Sequence, residues 1–90
     1  MGATLINVSV PPLGSVEVGK LYGFFALKSL TGSGYDEYPI CGYSTGTTKE
    51  LFLKGYNNNT SFNAEGVLVI TNPSTATSLN YTGLLFGVLK

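Results

Sequence analysis

The sequence contains no arginine, histidine or tryptophan, a single cysteine, and only 11% charged residues, against the ~25% usual for soluble chains. Each shortage removes a class of chemistry. A serine or cysteine nucleophile needs an adjacent base, most often histidine, and there is none. Cys41 has no second cysteine to pair with, and zinc sites need several Cys or His ligands. Inside an apolar strand it reads as a small buried hydrophobe.

Charge is balanced as well as scarce: five Lys against five acidic residues, net zero. Lys20 and Lys28 flank the aromatic stretch 22–25, a potential base-stacking platform, but nucleic-acid affinity rests on clustered cations. No nucleic-acid partner is expected. The carboxylates are Glu17, Asp36, Glu37, Glu50 and Glu65. Asp36 and Glu37 are neighbours that point to opposite faces of extended chain, so no converging acid–base pair is expected. They are also the best calcium candidates, yet their surroundings lack the acidic-and-glycine spacing of a dedicated loop. Gly32 and Gly34 mark a turn, because the third glycine of a phosphate cradle is absent. The chain therefore reads as non-enzymatic, with no metal or cofactor. The sequons at Asn7, Asn58, Asn59 and Asn80 read as chance in a chain rich in Asn, Ser and Thr.

Long hydrophobic runs are missing too. The longest apolar stretches, 21–27 and 83–89, fall far short of the ~20 residues that cross a membrane. Residues 1–6 lack the positive region and apolar core of a secretory signal. The expectation is synthesis in the cytoplasm without a signal peptide, and no membrane span.

What is present has a period of two. Residues 4–10 alternate Ile6, Val8 and Val10 against Asn7 and Ser9, the mark of a half-buried strand. Pro11 and Pro12 end it. Residues 15–30 form two strands or one bulged strand, bent at Gly19 and Gly23. Further strands are expected over 38–43, 49–56, 62–70 and 79–89, the last kinked at Gly83 and Gly87. Thr31-Gly32-Ser33-Gly34, Asn57-Asn58-Asn59 and Asn72-Pro73-Ser74 supply turns. At 90 residues the chain makes one domain, 1–90. The fold class is all-β: a small antiparallel β-sandwich or barrel of six to eight short strands.

Two strands break the alternation that one wet face demands. Residues 21–27 and 83–89 are apolar on both sides. Leu21, Phe25 and Leu27 point opposite to Tyr22, Phe24 and Ala26, so one set needs a second cover. Burying a Leu or Phe contributes about 1.5–3 kcal/mol, and several exposed together would form a patch near the few-hundred-Å² limit of monomers. The expected interface draws on Leu21, Phe24, Phe25, Leu27, Leu84, Leu85, Phe86 and Leu89. A barrel or loop covering both faces within one chain is the alternative.

A second candidate is a carbohydrate site. Sugars stack on aromatic rings and take hydrogen bonds from Asn, Asp and backbone groups. Tyr35, Asp36, Tyr38, Tyr56 and Asn58 lie in or beside loops and form the candidate set.

Low charge, no His or Arg, and abundant Gly, Thr, Ser, Asn and Tyr in short strands resemble the small β-rich structural proteins of virus particles. These include capsid decoration or cement proteins, minor capsid proteins, and tail or fibre modules. The resemblance is one of composition over the whole chain and transfers no functional residue. It implies a virion component partnered by its own copies, by other structural proteins, or by both.

Overall fold

The computed structural model describes residues 2–30 and 38–90. Seven strands follow in order: β1 (Ala3–Val10), β2 (Ser15–Ser29), β3 (Ile40–Ser44), β4 (Lys49–Lys54), β5 (Thr60–Phe62), β6 (Val67–Thr71) and β7 (Leu79–Leu89). A 3-10 turn, Tyr56–Asn58, separates β4 from β5. Every strand pair is antiparallel, so the all-β expectation holds. Among the described residues no helix is long and apolar enough to cross a membrane.

Strand β2 organises the rest. Its second half pairs with β7 on one side and β3 on the other, giving the order β1-β7-β2-β3-β4. Its first half pairs with β6, which carries β5. A register shift between Glu17 and Gly19 separates the halves, and Gly19 sits at φ 131°, a conformation closed to L side chains. One bulged strand thus feeds two parts of the sheet, and the sheet folds over on itself. Between β1 and the first half of β2 no ladder forms. A groove of about 280 Å³ runs there instead, lined by Ile6, Val8, Val16, Val18 and Leu89.

The enclosed face holds one apolar cluster. Ile6, Val10, Leu21, Phe25, Leu27, Ile40, Leu68, Ile70, Leu79, Tyr81 and Leu85 are all buried in it. Phe25 meets the ring of Phe62 edge-on, with centroids 6.2 Å apart.

Three strand boundaries depart from the alternation pattern, each for a local reason. Residues 62–70 are two strands, not one. The Asn63 side-chain oxygen accepts the backbone N–H groups of Glu65 (2.9 Å) and Val67 (3.0 Å), and Gly66 takes φ 81°, so the chain turns. In residues 49–56, the strand ends at Lys54 and carries a register shift. Leu51 pairs with Gly42 on the inner face and Leu53 with Cys41 on the outer one, although their spacing predicts a shared face. The strand predicted over 38–43 begins at Ile40. The left-handed turn expected of the asparagine run is present, with Asn57 and Asn58 at φ 51° and 56°. The glycine turn 31–34 lies outside the described residues.

A buried asparagine fastens the two chain reversals at one end. The Asn72 amide donates to the carbonyls of Val10 (3.0 Å) and Thr77 (2.8 Å), while its oxygen accepts the N–H of Ser74 (2.9 Å). Its backbone N–H donates to the Gly14 carbonyl at 2.8 Å. Removing the side chain leaves buried backbone groups unpaired, each costing about 1–3 kcal/mol. Asn72→Ala should lower unfolding free energy by about 2–3 kcal/mol in urea melts. Asn72→Asp, which lacks the donor, should not restore it.

Candidate functional site

The strand registers decide which side each apolar residue takes, because side chains alternate strictly along paired strands. Leu21, Phe25 and Leu27 face inward and are buried, as is Leu85 opposite Phe25. These four belong to the protein's own core. Their assignment to an interface is corrected on that ground. Leu89 pairs with Leu21 on the same inner side, where it lines the groove beside β1. It stays 36% exposed there, on the side away from Phe24 and Phe86.

The other three, Phe24, Leu84 and Phe86, stand on the outer face with 44%, 40% and 47% of their surfaces exposed. They do not stand alone. One row of directly opposed residues crosses all five strands: Leu5, Leu84, Ala26, Cys41 and Leu53. The next row is Ala3, Phe86, Phe24, Tyr43 and Glu50. A shorter third row pairs Val88 with Tyr22. Leu5, Phe52, Leu53 and Val88 are exposed and were not in the expected set. The pairing of β1 and β4 onto the sheet brings in Leu5, Phe52 and Leu53, which no feature of either strand read singly announces, whereas Val88 follows Leu84 and Phe86 by alternation along β7. Cys41, expected as a buried hydrophobe, is half-buried on this outer face.

Among the described residues, charged groups of this surface lie at its rim, and Tyr43 is the polar side chain within the two long rows besides Cys41. At one end Asn7, Thr82 and Lys28 lie side by side, and the Thr82 hydroxyl donates to the Asn7 side-chain oxygen at 2.7 Å. At the other, the Lys90 ammonium sits 5.7 Å above the Tyr22 ring. The relief is uneven. Small Ala26, between Leu84 and Cys41, floors a hollow of about 480 Å³ bounded by Lys28, Pro39, Leu84 and Phe86. From the fractional exposures, the apolar side chains of this face present on the order of 600 Å² to solvent. That is the top of the range for the largest patch on a monomer, roughly 300–600 Å².

The sugar-site candidates are partly assembled. Tyr38 and Tyr56 meet edge-to-face at 5.1 Å. Tyr38 and Asn58 line a shallow hollow of about 370 Å³ with Phe52, Leu53 and Lys54. Tyr35 and Asp36 lie outside the described residues. Among the described residues no three His, Cys, Asp or Glu side chains gather into a metal-binding group.

Two adjacent phenylalanines should therefore respond oppositely to truncation. Phe25→Ala should cost about 3–5 kcal/mol of stability through the cavity it leaves. Phe24→Ala should cost less than about 1 kcal/mol, the scale of an exposed cross-strand pair. Chemical denaturation of the two variants measures the difference; equal losses would contradict the assignment of faces. Compared with protein families, curated proteins and solved structures, this chain matches none.

Proposed function

We propose that this chain is a non-enzymatic structural protein that self-associates or docks on a larger assembly, with the outer face of its five-stranded sheet as the contact surface. One observation carries the reading: two ordered rows of apolar side chains cross that face, with charge only at their ends. A water-facing sheet normally carries polar residues on its outer side. Holding on the order of 600 Å² of apolar surface against water has no benefit to an isolated chain, whereas a contacting protein covers it. The lack of His and Arg agrees with a role that needs no titratable chemistry.

The assembly we favour is a virus particle, with the chain as a capsid decoration or cement protein, a minor capsid protein, or a tail or fibre module. Its support is the composition: low charge and abundant Gly, Ser, Thr, Asn and Tyr. A repeated particle component works through apolar faces and backbone edges, which this chain supplies in excess of charged groups.

A second reading is favoured by the contact between Tyr38 and Tyr56 beside Asn58, which would suit a small carbohydrate- or surface-binding module. One comparison separates the two. Immuno-electron microscopy with antibody to this chain, on particles released by cells expressing it in its own genomic setting, should label particle shells or tails. Phe86→Glu should abolish that labelling while Tyr38→Ala leaves it intact. Absence of particle labelling, together with glycan-array binding that Tyr38→Ala removes, would overturn the structural reading in favour of the second.

A further inference from the structure

The outer face has an area, a charge and a relief that together specify its occupant. A stable protein interface buries about 800 Å² on each partner, of which about 65% is apolar where identical chains meet. That amounts to roughly 500 Å² of apolar surface per copy, and the rows led by Leu5 and Phe86 present on the order of 600 Å². One contact of ordinary size would use the whole face.

Charge narrows the choice of partner. Among the described residues, Lys28, Lys90 and Glu50 stand at the rim of this face and Lys54 lies beside Phe52 and Leu53, while the chain as a whole is neutral. A strongly acidic or basic partner finds no complementary field here, while a like copy meets little repulsion. Relief points the same way. Leu5 stands out with 64% of its surface exposed, whereas Ala26 floors a hollow bordered by Leu84 and Phe86. The face thus carries both a projection and a recess, as a self-complementary patch requires.

Building on the assembly role proposed above, we infer that the outer face takes a second copy of this chain, the two sheets packing face to face about a two-fold axis. In that arrangement the sheets stack about 10 Å apart, the spacing of any sandwich core. The contact is isologous and closes at two copies. The dimer, not the single chain, is then the unit that joins a larger assembly.

Cys41 reports on this directly, since it is the sole thiol and sits within the outer row. Under reducing conditions, sedimentation velocity should show twice the 9.5 kDa chain mass at high micromolar concentration. Alkylation of Cys41 by a maleimide should be at least about tenfold slower there than after dilution to monomer. Phe86→Glu should give a folded monomer with fast alkylation at every concentration. Should that variant misfold, Leu84→Lys on the same face replaces it, and the wild-type labelling stands without either. A wild-type chain that stays monomeric with Cys41 equally reactive throughout would overturn the second copy as occupant. It would leave particle labelling as the separate test of the assembly role. Dimers that persist in Phe86→Glu, or that leave Cys41 unprotected, would overturn the inference by placing the contact elsewhere.

Discussion

The nine-pair register between β2 and β7, from Leu21 opposite Leu89 to Ser29 opposite Tyr81, is the constraint on which the rest of the molecule depends. Both strands are apolar on both sides, so composition alone does not say which side becomes core. Shifting β2 by one residue against β7 would set Phe24 opposite Leu85 and turn Phe25 to the outer side. The backbone helps to hold the register. Gly23 and Gly87 lie opposite each other with φ of 141° and 157°. A methyl group at Gly87 would run into the Tyr22 carbonyl, and one at Gly23 into the Phe86 carbonyl. In this pairing two side-chain-free residues meet where the strands approach closely.

From that register the two surfaces follow together. The inner side gains Leu68 and Ile70 from the folded-over β6 and becomes a closed core around Phe25. The outer side gains Leu5 from β1 and Leu53 from β4 and becomes a broad apolar face. The bulge at Gly19 separates their fates, because it turns the first half of β2 toward one side only. Nothing in the described chain folds over the other, since β6 and β5 are committed to the core side.

How much of this was legible in the sequence depends on whether the signal was local. The strands, the bend near Gly19 and the left-handed asparagine turn are written in neighbouring residues, and they emerged from period and turn chemistry. The opposed directions of Phe24 and Phe25 were equally plain from alternation. Which of the two faced the core was not, since that depends on where β6 folds, and β6 is distant in sequence. The turn at Asn63 was hidden by an unbroken apolar rhythm on either side, and only the Asn63–Gly66 spacing hinted at it. Leu5 and Leu53 joined the outer face through pairing, which no single strand records. The opposite faces of Leu51 and Leu53 arise from a bulge in β4, whose sequence contains neither glycine nor proline to mark it.

Of two phenylalanines adjacent in the chain, Phe25 is covered by its own fold and Phe24 stands exposed on the outer face. Hydroxyl-radical footprinting read by mass spectrometry reports side-chain exposure at each of them. It should show Phe25 protected at every concentration, and Phe24 and Phe86 reactive in dilute chain but protected once the chain is concentrated or built into an assembly. Phe24 and Phe86 oxidised at the same rate in dilute, concentrated and assembled samples would contradict the outer face as the contact surface.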